Sequence, residues 1–361
     1  LNFKLYKIND MNLDRFLAAL LVIFLLLGCG KDEVNSNSQD YSDILENIGN
    51  NVILATYEEL DLKAVILVNS LTLLENEKTQ DNLINARQAW RDTRQPWEQS
   101  EGFLYGPVDQ KGIDPSMDSW PVNQTDLDAV LNSNAELTKS YIDGLDGTLK
   151  GFHTIEYLLF GLNSDKQIGD FTERQYQYLK SCAESLKGST SELFLSWSPS
   201  GDNYISNVIS AGDENNSVYP SQKSALEEFV VGMITIADEV ANGKINDPLV
   251  QKNVNLEESR FSQNSKKDFA DNIRSIQNAY LGKYKGSEGK GINSLILSKD
   301  ENLNKKVQEE IIEAIKSIEN IEGSFTSAIF NSVSSVENAQ AKVRQLQQTL
   351  ESEVLPIVSN L

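Results

Sequence analysis

The chain has 361 residues, 40% of them hydrophobic and 24% charged, so it is long enough to bury a core without disulfides or metals to hold it together. Lys plus Arg total 32 against 53 for Asp plus Glu, a net charge of -21 that excludes nucleic acid and anionic lipid as partners of the surface at large and suits cations instead. Two cysteines exclude a disulfide scaffold, and a single histidine excludes any two-histidine metal site or second catalytic imidazole within one chain.

Lys4, Lys7 and Arg15 precede an unbroken apolar run over residues 16–27, which is shorter than the roughly 20 residues needed to cross a bilayer. This pattern predicts a signal-peptide core. It stops at Leu26-Leu27-Gly28-Cys29, which resembles the lipobox of bacterial lipoproteins. That resemblance implies that residues 1–28 are removed, that Cys29 carries the lipid and that residues 29–40 form the lipidated polar tether; Met11 is a second candidate for the start of translation. Lys31-Asp32-Glu33 is similar to the surface-export tag of Bacteroidetes lipoproteins, which implies the outside of the outer membrane, and the expected location is that of an outer-membrane lipoprotein, on the periplasmic face or the cell surface. Cys182 is then the remaining thiol. It falls in a helical pattern over 176–197, with Leu179, Leu186, Leu193 and Phe194 at three- and four-residue steps, and is expected to be a small buried hydrophobe.

From Tyr41 onward the apolar residues recur at helical spacing. Ile44, Ile48 and Val52 open the series; Leu83, Ala86, Trp90 and Trp97 continue it; Leu226 to Ala237 and Val307 to Leu350 repeat and close it. No alternating run is long enough to propose a sheet, so the expected class is all-α. Loop-rich breaks at 106–121, 198–220 and 282–291 interrupt the pattern. The middle break divides the mature chain into an N-terminal bundle, 41–200, and a C-terminal bundle, 215–361, each with enough helices for a four-helix bundle. The glycines of the third break, Gly282, Gly286, Gly289 and Gly291, would permit closure between the halves.

His153 lies in a short predicted helix that Gly161 is placed to end. At about 100° per residue His153 and Glu156 share a flank with Leu149 and Phe160, while Lys150 and Thr154 mark the expected solvent side. A histidine and a glutamate three residues apart lie within about 5–6 Å at Cβ. Their ordinary role is a hydrogen-bonded structural pair; their neighbourhood raises the interest of a ligand role. Trp90, Arg91, Arg94, Trp97, Glu98 and Glu101 end the preceding helix, and a solvated charged face does not usually contain two tryptophans. Asp114 to Pro121 adds carboxylates in a rigid loop.

Together these blocks resemble a known family. The lipobox, Trp90 with residues 94–103, Asp118-Ser119-Trp120-Pro121 and the G-x-H-x-x-E motif at Gly151, His153 and Glu156 occur in the order found in imelysin-like proteins, also called insulin-cleaving membrane protease-like. Residues 258–264, Asp268, Asn272 and the run to Gly282 are similar to that family's second block. The resemblance covers nearly the whole mature chain and implies two helix-bundle domains with the motif at a cleft between them.

The family has both a peptidase claim and relatives tied to iron uptake. A thermolysin-type zinc site wants two imidazoles, whereas one histidine among carboxylates is an oxygen-rich setting that suits iron or another hard cation. The candidate ligands are His153, Glu156, Glu101 and Asp118, with Glu98 either a further ligand or, preferably, a salt-bridge partner of Arg94. Arg94 and Trp120 would orient the carboxylates and close the site, and Gly151 would admit a close neighbour. Arg260, Ser262 and Asp268 are cleft residues by resemblance alone. The leading expectation is a lipid-anchored protein that holds iron, or another divalent metal or a metal chelate, for an uptake machinery. A metal-dependent peptidase, with Glu156 or Glu101 activating a metal-bound water, and a structural or adhesion lipoprotein without metal stay open beside it.

Overall fold

The computed structural model describes residues 40–361, which form one compact unit. The signal segment, Cys29 and the tether expected from the sequence lie outside the described residues. Among the described residues no helix is long and apolar enough to cross a membrane.

The fold is all-α. A first set of helices, Ala55–Asn76, Gln80–Glu98, Gly151–Phe160 and Glu173–Trp197, packs side by side. Two of the long members start where a side chain satisfies a free N–H: Thr79 accepts from the Asn82 amide, and Thr172 and Gln175 form a reciprocal capping box. A second set, Gln222–Asp238, Ser265–Leu281, Glu301–Glu319 and Val333–Thr349, packs likewise, with Ser221 and Asp300 as N-caps. The chain passes from one set to the other through 198–221, where Ile205–Ile209 is a short helix. The opening residues Ser42–Leu54 lie against that short helix, Gln222–Asp238 and Ser265–Leu281, so the N-terminal end of the unit packs on its later elements.

The third glycine-rich break is a small hairpin. Lys283–Tyr284 pairs antiparallel with Ser287–Glu288, with Lys283 opposite Glu288 and Tyr284 opposite Ser287. Lys285 and Gly286 both have positive φ, 42° and 93°, the requirement of the tight turn whose twist matches that of paired strands. This is the only β-structure among the described residues, too short to show as alternation in the sequence.

The two sets touch near the end of Gln80–Glu98. Pro96 has no N–H for the Asp92 carbonyl, the helix ends two residues later, and the tight turn Glu101–Phe103 runs against Gln222–Asp238 and Ser265–Leu281. Gly232 lets the backbones meet there: a Cβ on it would lie 2.3 Å from the Gly102 carbonyl oxygen.

The motif helix departs from expectation on one face. Thr154 is fully buried, as are His153, Ile155 and Glu156, because the helix is enclosed by Gln80–Glu98, Glu173–Trp197 and the loop that ends in Asp118. The threonine hydroxyl is satisfied locally by the Thr148 carbonyl at 3.3 Å. Cys182 is buried as expected, its thiol 3.8 Å from the Gly151 carbonyl and pushed up to about 12 by burial.

Gly151 opens this helix with φ +75°, and a Cβ there would sit 2.1 Å from the Met117 carbonyl oxygen. Only a glycine allows the loop carrying Asp118 to come so near His153. Gly151→Ala is therefore expected to lower unfolding free energy by at least about 2 kcal/mol, whereas Gly169→Ala, in open space, stays within about 0.5 kcal/mol. Denaturant titration of both variants checks the contrast.

Candidate metal centre

The last turns of Gln80–Glu98 bring Arg94 into the protein with no exposed surface. A buried guanidinium is tolerable only among anions. Arg94 meets four: Glu98 one turn along its own helix, Asp118 from the loop, Glu258 with Nη2 at 3.0 Å from Oε1, and Asp268 with Nε at 3.8 Å from Oδ1. Phe152 covers the guanidinium face at 4.9 Å from the ring centre.

A second buried cation, Lys244, comes from a π-helical turn, Glu239–Ile245, that continues Gln222–Asp238. Pro248 comes four residues later and has no N–H to complete an α-helical ladder to the Lys244 carbonyl, so the turn is wider here. The Lys244 ammonium donates to Glu101 Oε2 at 2.7 Å and Glu258 Oε1 at 3.1 Å, and lies 3.8 Å from Glu98.

His153 faces a carboxylate at each ring nitrogen and is hydrogen-bonded through Nδ1 alone. Nε2 faces Asp118 Oδ1 at 3.0 Å and Nδ1 faces Glu156 Oε2 at 3.1 Å. The other oxygen of Glu156 accepts from the Ser262 amide and hydroxyl, both at 2.7 Å, and Asp118 Oδ2 accepts from Trp97 Nε1 at 2.6 Å. Glu156 thus sits behind the ring and fixes it, while Nε2 is directed into the cluster. Ligand atoms of Asp118, His153 and Glu258 lie within 4.8 Å of one another, as do those of Glu98, Glu101, Asp118 and Glu258. One carboxylate oxygen of Glu258, Oε2, is buried without a hydrogen-bond partner among the described residues. This donor set fits a hard cation.

Trp120 is half-buried beside the histidine, ring centres 6.0 Å apart, with Lys244 5.6 Å from its own ring centre. It lines two cavities of about 240 Å³ each. One is lined also by His153, Glu257, Glu258 and Arg260, the other by Glu101, Asp114, Asp118 and Glu239.

The sequence profile of the imelysin family, also termed peptidase M75, matches residues 53–354. The chain belongs to the imelysin family. Iron-regulated protein A of Synechococcus elongatus is 29% identical over 346 residues, 93% of this chain and 91% of that protein. Among solved structures, a candidate iron-regulated protein A precursor from Parabacteroides distasonis superposes with a TM-score of 0.79 at 26% identity, covering 88% of this chain and 94% of that one. An imelysin-like protein from Psychrobacter arcticum gives 0.71 at 12% identity, covering 88% and 95%, and shares the fold.

Most residues expected at the imelysin site come together: Arg94, Glu98, Asp118, His153, Glu156, Ser262 and Asp268 are all buried in one network. Arg94 pairs with Glu98, the preferred reading of that glutamate. Glu101 belongs to the Lys244 side of the cluster. Arg260 is half-buried, stacked on Phe261 at 4.5 Å, and lines the His153 cavity without joining the network. Two members were not assigned from sequence. Glu258 opens the second family block, but nothing in its spacing ties it to Arg94; Lys244 lies in a polar Asn-Gly-Lys stretch that resembles a surface turn.

Six buried carboxylates, Glu98, Glu101, Asp118, Glu156, Glu258 and Asp268, share Arg94, Lys244 and His153. The acids respond unequally. Burial pushes Glu98 and Glu101 well above the usual carboxylate range despite Arg94 and Lys244, and raises Asp268 to about 6. Asp118 is also desolvated, but Arg94 and His153 outweigh that and hold it well below its ordinary value. For His153, burial opposes the charge, yet the close approach of the Asp118 carboxylate, helped by Glu156, lifts it to about 9. The metal-free cluster therefore contains an imidazolium and acids that favour their protons, the condition of a site short of positive charge.

The histidine has a consequence for stability. Its folded pKa of about 9 lies above the unfolded value near 6.5, so its stabilising contribution is fully present below pH 6.5 and is lost as pH rises through 9. Chelator-treated wild type is expected to lose about 3 kcal/mol of unfolding free energy across that window relative to His153→Gln, measured by denaturant titration at several pH values.

Proposed function

We propose that the protein is a lipid-anchored iron-binding protein of a metal-uptake system, in which Asp118, His153 and Glu258 hold the ion and Glu101 lies at the edge of the site. Glu156 acts through His153, fixing the ring by its Nδ1. The observation that carries this reading is the excess of buried carboxylate over buried cation around a histidine whose Nε2 faces Asp118 and which lies within ligand distance of Glu258. A multivalent cation supplies the missing charge where protons otherwise do so. One imidazole with several carboxylates favours oxygen-seeking iron over a zinc-peptidase arrangement. The name of the iron-regulated relative is in keeping with this. Cys29 ties the chain to the outer membrane, on its periplasmic face or the cell surface, and the lipobox-like segment before it supports that placement.

Binding must displace the His153 proton, which sets the sign of the pH dependence: below pH 9 apparent affinity is expected to fall about tenfold per pH unit on acidification. Metal analysis and titration of the protein purified without a polyhistidine tag test this, using iron(II) under anaerobic conditions and cobalt(II) as a spectroscopic probe. Wild type is expected to bind one ion, and His153→Ala and Glu258→Gln to bind at least about tenfold more weakly. Equal affinity in folded wild type and both variants overturns the site. Separately, Cys29→Ala is expected to move the protein from the membrane pellet to the soluble fraction; retention in the pellet overturns the anchor.

A further inference from the structure

Behind the candidate metal centre lies a pocket of opposite character. Arg87 and Arg91 are one turn apart on Gln80–Glu98, both half-buried, and both guanidinium groups lie over the Phe160 ring, at 5.0 and 4.7 Å from its centre. Like charges four residues apart on a helix repel. Burial disfavours both charges, and Arg91 further disfavours that of Arg87, while Glu156 and Asp268, beyond ion-pair distance, favour that of Arg91. In a chain with 53 acidic residues, neither arginine has a carboxylate within ion-pair distance among the described residues.

The donors are unequally used. Arg87 gives Nε and Nη2 to the Leu159 carbonyl at 3.1 and 2.9 Å, and Nη2 also to the Lys166 carbonyl, so it is tied to the loop after the motif helix. Arg91 makes one long contact, Nη2 to the Ser262 carbonyl at 3.3 Å, which leaves its Nε and Nη1 without a hydrogen-bond partner among the described residues. Both arginines line a cavity of about 400 Å³ with Gln88, Ser164, Ser262 and Gln263. Ser164 is half-buried and Gln263 exposed on the cavity rim, and both residues have positive φ, 63° and 56°, an uncommon conformation away from glycine.

We propose that this cavity is an oxyanion site, taking a small ligand that presents a fork of oxygens, a carboxylate or a phosphate, to Arg91 with Arg87 beside it. An arginine fork on a carboxylate or phosphate forms paired charge-assisted hydrogen bonds, and the amide of Gln263 and hydroxyl of Ser164 add neutral donors. The aromatic floor at Phe160 keeps the guanidinium planes in place when the ligand leaves. Ser262 forms the wall shared with the other centre, since its carbonyl faces Arg91 while its amide and hydroxyl hold Glu156. Anion binding itself does not require metal, so it stands or falls apart from the iron reading.

Calorimetric titration of full-length protein freed of metal on a chelating resin tests the site, with inorganic phosphate and citrate as separate probes at constant ionic strength. Saturable one-to-one binding of either is expected, and which one binds distinguishes a phosphate from a carboxylate ligand. Arg91→Gln is expected to weaken it at least about tenfold, and Arg91→Lys, which keeps the charge but loses the fork, to weaken it too. The lysine variant decides the matter if the glutamine variant does not fold. Absence of saturable binding by both probes, or unchanged affinity in a folded Arg91 variant, overturns the proposal.

Discussion

The arrangement depends on one guanidinium. Arg94 has no exposed surface, and the anions around it come from its own helix, from the loop after it, and from two places in the second half of the chain, at Glu258 and Asp268. Removing a charge from such a group leaves the others buried without compensation, typically a loss of about 3–5 kcal/mol, which is why breaking a buried pair is worse than never having made one. Here the same contacts join segments 164 residues apart in sequence, as between Arg94 and Glu258. Arg94 is thus both a charge partner and the polar tie between the helix sets.

Around that tie, charge is distributed by geometry. Asp118 is held ionised because Arg94, His153 and the Trp97 indole all approach it, whereas Glu98 and Glu101, equally enclosed, favour protons. On the proposed reading, neighbouring carboxylates with opposite tendencies would let protons be exchanged for a cation without rebuilding the backbone. Glu156 stands apart, saturated by Ser262 on one oxygen and by His153 on the other, which suits an orienting role.

The sequence made the helices legible because their burial is periodic: Trp90, Trp97, Phe229 and Val343 each recur at the spacing that a helix turns inward. The Arg94–Glu98 pair and the close neighbour of Gly151 were also readable, being matters of local spacing and of what lacks a Cβ. The burial of Thr154 is not legible in the pattern, because a polar residue opposite an apolar stripe normally faces water, whereas here a loop and two helices enclose the motif helix. Lys244 and Glu258 were invisible for a different reason: their meaning lies entirely in partners far along the chain, and no local pattern marks a surface-like lysine that a widened helical turn carries into the core. The hairpin at 283–288 escaped because two residues per strand leave no alternation to see.

That widened turn sets a rule about chain length. A π-helical turn is an α-helix holding one residue too many, so its register depends on a count and not only on side-chain identity. Adding a further residue between Glu239 and Lys244, where the helix already holds one extra, would exceed what the widened turn absorbs and rotate the downstream helix by about 100° relative to the upstream one. The ammonium of Lys244 would then face elsewhere, and Glu101 and Glu258 would lose their common counter-charge although every charged residue was still present. Single-residue insertions ahead of Lys244, of the kind tolerated in most surface loops, are therefore expected to be rejected here even where point substitutions are accepted.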